Sequence, residues 1–285
     1  MHVTANGVRL YFDVDGSGLA ANGAALNPRP TILALHGGPG FDHAYLRSGL
    51  APLSRWAQIV YLDQRGQGRS QSVALEDCTI ERMAADTAAF CHAIGLEKPI
   101  VIGHSLGGYV ALTLALDRPD LVGGLVLANT APHIDLEPAL TELERRFGAE
   151  VAGVARSVFG GDISDEVVAA YQSLVLPTYT HPSAAHALAE LGYCRLNLAF
   201  AEYFFRHHRH DFDVRARLAA ITQPTLVVTG SDDWIAPPSV ARELAARIPG
   251  AECGVMARTG HFSFGERPRM FANLVTRFRH RHGLG

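Results

Sequence analysis

The stretch KPIVIGHSLGGYVALTLAL, residues 98–116, decides the fold of this chain. Residues 100–103 form an apolar, β-branched run that predicts a strand, and residues 106–116 are typical of a buried helix. Between them, GHSLG at 103–107 is a Gly-x-Ser-x-Gly turn. Glycines flank the serine because a strand-to-helix turn this tight leaves no room for side chains two residues away. Ser105 is therefore a candidate nucleophile at the end of a strand.

Short apolar runs alternate with helical patterns along much of the chain. The runs that predict strands are residues 8–14, 31–36, 58–63, 100–103, 121–128, 225–230 and 251–256. Helices are predicted at residues 79–94, 106–116 and 237–248. Because apolar strands alternate with helices, we expect an α/β protein with a mostly parallel sheet covered by helices on both faces.

Residues 132–217 interrupt this alternation. They contain no run typical of a buried strand, and helical patterns occur at 138–147, 164–175 and 188–208. A helical insertion between two strands predicts a cap over the carboxyl ends of the sheet, where open α/β proteins bind ligands. We therefore predict a catalytic core from residues 1–131 and 218–285, and a helical cap from residues 132–217.

The composition excludes several classes of protein. The chain has 285 residues and a net charge of −3, and its arginines are scattered, so no nucleic-acid partner is expected. The longest apolar run, residues 109–116, is too short to span a membrane, and the first 30 residues lack the basic start of a secretory signal peptide. We expect a cytoplasmic protein acting on a small molecule or short peptide.

The sequence predicts no metal or cofactor. It contains no HExxH spacing and no lysine in its glycine-rich loop, as a phosphate-binding loop would require. The cysteines are widely separated, so we expect them to be small core residues: Cys78, Cys91, Cys194 and Cys253. Nothing in the sequence indicates an oligomeric state.

A serine nucleophile needs a histidine base held by a carboxylate, and with this turn the chain order is serine, acid, histidine. His261 follows the last predicted strand. Asp232 and Asp233 both follow the strand at 225–230; we prefer Asp233, because it fits a Gly-x-x-Asp-x-x-x-Pro turn, and expect Asp232 to be an exposed turn residue. Asn129 occupies another position for the acid, but an amide cannot stabilise an imidazolium.

Two loops are predicted to complete the site. HGGPG at 36–40 follows a strand and can aim a backbone N–H group at a developing oxyanion. We expect Gly38 to supply that donor, and Leu106, the residue after the serine, to supply the second. DQRGQGRS at 63–70 is expected to support this loop through a local pair between Asp63 and Arg65, without taking part in chemistry.

Together these segments resemble the α/β-hydrolase superfamily. Within it, HGGPG, DQRGQGRS and GHSLGG are similar to motifs of the proline iminopeptidase family of serine peptidases. The resemblance covers residues 31–128 and 225–268. It implies an α/β-hydrolase fold, with a mostly parallel central sheet flanked by helices and a helical cap.

Members of that family release an N-terminal residue, often proline, and hold its ammonium group with cap carboxylates. FAEYF at 200–204 is similar to the segment involved, which makes Glu202 and Tyr203 candidate substrate-binding residues. Trp234, directly after the predicted acid, is a third; some members have an acid there. The family usually has two residues between Glu and Tyr, and this chain has none. Glu202 is equally an ordinary charged cap residue.

The leading hypothesis is a serine hydrolase that cleaves an aminoacyl amide or peptide bond through an acyl-enzyme, including one in a natural-product intermediate. The same triad in a carboxylesterase, lactonase or carbon–carbon bond hydrolase is the alternative. A non-catalytic binding protein that kept the fold is a third hypothesis, of another class.

Overall fold

A computed structural model describes residues 1–22 and 25–284 of the chain. The strands are β1 (His2–Ala5), β2 (Val8–Asp15), β3 (Leu19–Asn22), β4 (Ala25–Pro28), β5 (Thr31–Leu35), β6 (Gln58–Leu62), β7 (Ile100–His104), β8 (Gly124–Ala128), β9 (Thr225–Gly230) and β10 (Glu252–Met256). Eight of the described strands form one sheet in the order β1-β2-β6-β5-β7-β8-β9-β10. Its pairs from β6 to β10 are parallel, and β2 is antiparallel to both neighbours. The α/β fold with a mostly parallel sheet is confirmed.

The α-helices are α1 (Leu46–Leu50), α2 (Ile80–Ile94), α3 (Leu106–Asp117), α4 (Glu137–Phe147), α5 (Ala149–Phe159), α6 (Asp165–Ala170), α7 (His186–Ala189), α8 (Leu198–Tyr203), α9 (Pro238–Arg247), α10 (Ser263–Glu266) and α11 (Pro268–His282). Shorter 3-10 turns are His43–Tyr45, Ala51–Arg55, Leu75–Asp77, Leu176–Tyr179, Pro182–Ala184, Glu190–Tyr193 and Leu218–Ala220. Two π-helical turns, Tyr171–Val175 and Phe204–His208, extend α6 and α8. No helix in the described ranges has both the length and the apolar character to cross a bilayer.

Two apolar layers cover the two faces of the sheet. Alternate residues of β5 belong to different clusters: Leu33 and Leu35 pack with α2, α3 and α9, whereas Ile32 and Ala34 pack with α1 and α11. Successive side chains of a strand point to opposite faces, so helices stabilise the sheet from both sides. This is why the central strands β5, β8 and β9 are almost wholly apolar, without polar alternation.

The parallel register brings several loops to one edge of the sheet. Leu35 of β5 pairs with Gly103 of β7, and His104 pairs with Ala128 of β8. The segments that follow β5, β7, β8 and β9 therefore leave the sheet side by side. This edge is where the predicted site residues meet.

The helices α4–α8 lie between β8 and β9. At the two ends of this insertion, Ile134 N donates to Phe212 O at 3.2 Å and Val214 N donates to Pro132 O at 3.0 Å. The bridge between His133 and Asp213 lies at the same place. Division of the chain into a core and a cap at residues 132–217 stays a prediction, which these contacts support.

Several local predictions need correction. The pattern at 188–208 does not form one helix, because Asn197 begins a new one: its side chain accepts a hydrogen bond from Phe200 N at 3.1 Å. Of the cysteines, Cys78 and Cys91 are buried as predicted, Cys194 is half-buried, and Cys253 is exposed.

Candidate active site

Ser105 lies on a strained turn between β7 and α3. Its backbone angles are φ 51° and ψ −117°, a region that residues other than glycine rarely adopt. A side chain at Gly103 would collide with Gly107 O, and one at Gly107 would collide with Leu35 O. The two flanking glycines are therefore required by close backbone approach, as the sequence predicted.

His261 and Asp233 form a buried pair. The His261 Nδ1 atom lies 3.1 and 3.0 Å from the two carboxylate oxygens of Asp233, and both side chains are almost fully buried. Because a carboxylate only accepts hydrogen bonds, the single proton of a neutral imidazole lies on Nδ1 here, and Nε2 is then the acceptor nitrogen. No described residue hydrogen-bonds to Nε2, which is therefore available as a base.

Three further groups hold Asp233 in its ionised form. Its Oδ1 accepts from Ile235 N at 2.9 Å and Ala236 N at 3.0 Å, and its Oδ2 accepts from Asn129 Nδ2 at 2.9 Å. Burial raises the pKa of Asp233, but its electrostatic interaction with His261 and these hydrogen bonds outweigh it and hold that pKa below its usual value. Asn129 thus supports the acid and does not replace it.

The structure separates the two neighbouring aspartates. Asp233 contacts His261, whereas the side chain of Asp232 is 41% exposed and lies 3.9 Å from His181 Nε2. Asp232 N donates to Thr259 O, which fixes its place in the turn. Of the two candidates, only Asp233 is placed to orient the histidine.

Two backbone amides beside Ser105 are free. Gly38 N and Leu106 N donate no hydrogen bond to any residue in the described ranges, and both residues line the same cavity as Ser105 and His261. The neighbouring amides are occupied: Gly37 N donates to Tyr45 Oη at 2.6 Å, and Gly40 N donates to Gln67 Oε1 at 2.8 Å. The two predicted oxyanion donors are thus both uncommitted.

A buried hydrogen-bond chain connects this loop to the histidine loop. His104 Nε2 donates to the carbonyl oxygen of His261 at 2.9 Å, so His104 Nδ1 accepts from Tyr45 Oη at 2.7 Å, and Tyr45 Oη in turn accepts from Gly37 N. Burial lowers the pKa of His104 to about 3, so it stays neutral at physiological pH. Sequence reasoning did not identify Tyr45 as the partner of His104.

Glu266 is a supporting residue that sequence reasoning missed. Its Oε1 accepts from Gly260 N at 2.8 Å and its Oε2 accepts from His181 N at 2.9 Å. It therefore ties the backbone before His261 to the predicted cap. Burial raises the pKa of Glu266 to about 7. Its position five residues after His261 is the signal that could have singled it out.

The expected pair between Asp63 and Arg65 is wrong. Arg65 instead makes a bidentate pair with Asp86 of α2, at 2.5 and 2.6 Å, and both side chains are buried. Asp63 accepts from His43 Nδ1 at 2.6 Å and from Arg69 N at 2.9 Å. A local pair would leave Asp86 as an unpaired buried charge, which is strongly unfavourable.

The cavity above Ser105 is large and apolar. It has a volume of about 510 Å³, and its wall contains no Asp, Glu, Lys or Arg among the described residues. Its lining side chains include Phe41, Leu136, Phe159, Ile163, Leu176, Leu188, Leu196, Phe204 and Phe205. Elsewhere in the described residues, as in this wall, no group of three or more His, Cys, Asp or Glu side chains has the geometry to hold a metal ion.

Comparison with known proteins identifies the family. The family model described as "alpha/beta hydrolase fold" matches residues 30–268. The chain belongs to this family. It is 31% identical over 263 residues to the "Putative carbamate hydrolase RutD" of Caulobacter vibrioides, covering 86% of this chain and 93% of the relative. It is 30% identical over 262 residues to the "Proline iminopeptidase PfmaB" of Pestalotiopsis fici, covering 88% and 92%.

Solved structures agree on the fold of this α/β hydrolase. The structure of VinJ matches with a TM-score of 0.80 at 20% identity, covering 99% of this chain and 98% of that one. The proline iminopeptidase of Mycobacterium smegmatis matches with a TM-score of 0.76 at 23% identity, covering 99% and 98%. Family membership makes the protein a hydrolase.

The residues predicted to bind substrate lie elsewhere. The carboxylate of Glu202 is 45% exposed, pairs with Arg206 at 3.2 Å, and is not part of the cavity wall. Tyr203, next to it, packs its ring against His207. Trp234 is fully buried behind the wall and donates to Thr178 Oγ1 at 3.1 Å. Glu202 and Tyr203 lie outside the cavity wall because their neighbours face it: Ala201 of α8 and Phe204, the first residue of the π turn that extends α8, both line the cavity.

Proposed function

We propose that this hydrolase cleaves an uncharged carboxylic ester through an acyl-enzyme intermediate. One observation carries the proposal: Ser105, the pair of His261 and Asp233, and two free amides meet at a cavity whose described wall holds no charged Asp, Glu, Lys or Arg side chain. The substrate is a small apolar molecule of a size that fits about 510 Å³. The reaction needs no metal or cofactor.

The reaction follows from the proton positions. Ser105 Oγ attacks the ester carbonyl carbon while its proton passes to His261 Nε2, and the Gly38 and Leu106 amides hold the resulting oxyanion. The carbon–oxygen bond to the alcohol then breaks, and His261 gives its proton to the leaving oxygen. Water attacks the acyl-enzyme in the same way, releasing the acid and restoring Ser105. Asp233 keeps the proton of His261 on Nδ1 throughout.

The aminopeptidase hypothesis lacks its main requirement. A free α-ammonium group inside this cavity would lose its hydration without meeting a carboxylate, which is costly. Glu202, the residue that the family resemblance suggested for this role, is partly exposed and paired with Arg206. We therefore favour the ester interpretation over an aminoacyl amide.

An uncharged amide or carbamate is the second candidate. The names of two relatives at about 30% identity, a putative carbamate hydrolase and a proline iminopeptidase, favour cleavage of a carbon–nitrogen bond. The same catalytic groups would protonate a leaving amine in place of an alcohol. Only the leaving group distinguishes this candidate from the first.

A substrate panel tests the proposal. The panel contains p-nitrophenyl butanoate and hexanoate, the matching p-nitroanilides, and prolyl p-nitroanilide with and without N-acetylation. We expect turnover of the esters, loss of that turnover in Ser105→Ala, and no preference for the free amine. A tenfold preference for the free amine would contradict the proposal, and failure of a fluorophosphonate to label Ser105 would favour a non-catalytic binding protein.

A further inference from the structure

Two tyrosine hydroxyls face each other in the apolar cavity wall. The hydroxyl groups of Tyr171 and Tyr179 are in direct hydrogen-bond contact, and both residues line the cavity. The Tyr179 ring packs edge-on against the imidazole of His261, with ring centroids 5.6 Å apart, and its centroid is 6.2 Å from that of Tyr171. The pair is therefore next to the proposed base.

Proton counting shows that the pair has a spare donor. Two phenols carry two hydroxyl protons, and the contact between them uses one, whichever tyrosine donates. Neither hydroxyl makes another hydrogen bond within residues 1–22 and 25–284. Burial raises the pKa of both phenols above their usual value of 10, so both remain protonated. One O–H group is thus left to donate to a molecule in the cavity.

The position of the pair indicates which part of an ester it meets. In the proposed mechanism His261 returns its proton to the leaving alcohol oxygen, so groups packed against its imidazole border the alcohol part of the substrate. The rest of the wall is mostly aliphatic and aromatic. Gln172 and Tyr109 also line the cavity and can donate, but of the described tyrosines in the wall only Tyr179 packs its ring against His261. A hydrogen-bond acceptor in the alcohol part would therefore find a donor at this pair.

We propose that Tyr171 and Tyr179 select esters whose alcohol part carries a second oxygen as a hydrogen-bond acceptor, such as an ether or carbonyl oxygen. This inference rests on the proposed esterase function and names its substrate class. The pair acts as a specificity determinant: it binds the substrate away from the reacting carbonyl and takes no part in bond cleavage.

Isosteric esters provide the test. Pentyl butanoate, 2-ethoxyethyl butanoate and 3-methoxypropyl butanoate have alcohol parts of equal chain length, with oxygen in place of one methylene in the last two. For each, kcat/KM is compared with its rate of hydrolysis by hydroxide, which corrects for intrinsic reactivity. We expect at least one ether ester to be favoured over the pentyl ester by about fivefold to tenfold, the value of one hydrogen bond. A cavity without a donor would disfavour both ether oxygens, and that result would overturn the inference.

Two variants show whether the ether preference depends on the hydroxyls of the tyrosine pair. The double variant Tyr171→Phe/Tyr179→Phe removes both hydroxyls together and leaves no unpaired partner, so its Tm should change little. It should lose the ether preference, so that the ratio of kcat/KM for the ether esters to kcat/KM for the pentyl ester falls to that of a cavity without a donor. Tyr193→Phe removes an exposed phenol hydroxyl outside the cavity wall and should keep the preference. An unchanged preference in the double variant would overturn the inference even if Tyr193→Phe behaves as expected.

The same data distinguish a failure of the proposed esterase function from a failure of the proposed role of the tyrosine pair. If the wild-type protein hydrolyses none of the three esters, or Ser105→Ala hydrolyses them equally well, the proposed function fails. If the esters are hydrolysed through Ser105 but no ether preference exists, only the role of the tyrosine pair fails. If the double variant does not fold, the wild-type values of kcat/KM for the three esters, each compared with its rate of hydrolysis by hydroxide, decide whether the ether preference exists.

Discussion

At the scale of single residues, the two neighbouring aspartates give the sharpest contrast. Asp233→Asn should lower kcat by about 10² to 10⁴, because an amide cannot accept from His261 Nδ1, Asn129 and two backbone amides at once. The matched variant Asp232→Asn should change kcat by less than threefold, since that side chain is exposed. Steady-state kinetics on p-nitrophenyl butanoate measures both. Equal losses in the two variants would contradict the assignment.

Tyr45 is a second test at this scale. Tyr45→Phe leaves Gly37 N and His104 Nδ1 without partners in a buried site, so it should lower the free energy of unfolding by about 1–3 kcal/mol. Since the Gly37 peptide precedes the proposed oxyanion donor, kcat should fall more than KM changes. Urea unfolding and kinetics at saturating ester check the two effects, with Tyr193→Phe as the control. A stability loss with unchanged kcat would show that the chain only stabilises the fold.

At the scale of elements, Glu266 connects α10, the His261 loop and the predicted cap. Because burial raises its pKa to about 7 in the folded state, from a usual value near 4.5, this group favours folding fully below pH 4.5 and loses that contribution as pH rises through 7. The loss amounts to at most about 3 kcal/mol between pH 5 and pH 8.5.

Glu266→Gln isolates this contribution, since every other titrating group is kept. The variant loses one of two backbone contacts, and its stability should fall less than that of the wild type between pH 5 and pH 8.5. Urea unfolding of both proteins at several pH values provides the comparison. If the free energies of unfolding of the two proteins change with pH in parallel, Glu266 does not titrate in this range.

Sequence patterns predicted the elements of the sheet and its helices better than those of the predicted cap, residues 132–217. Strands β5, β7 and β9 were predicted to within one residue, because buried parallel strands are continuous apolar runs with few alternatives. In the cap, short helices are joined by 3-10 and π turns, and the helical pattern continues across these breaks. The Asn197 cap that starts α8 was visible in the sequence but was not used.

At the scale of the whole molecule, the difference between the two parts of the site has a physical reason. Ser105, Asp233, His261, Gly38 and Leu106 lie in turns whose backbone geometry demands particular residues, so the sequence could single them out as candidates. The cavity wall demands only apolar volume, which many sequences supply. Which face of α8 meets the cavity depends on tertiary packing, and for that reason Glu202 was misplaced.

The cavity as a whole sets the size of substrate. Each methylene buried against the apolar wall contributes about 0.8 kcal/mol, so kcat/KM for p-nitrophenyl esters should rise up to about fourfold per added carbon until the cavity of about 510 Å³ is full, and then fall. Val168→Phe adds volume to the wall at α6 and should move the maximum to a shorter chain without lowering kcat for the acetate ester. Rates measured across the series from acetate to dodecanoate check both statements. A flat profile in the wild type would show that the acyl chain binds outside this cavity, and the proposed esterase would then need another binding site.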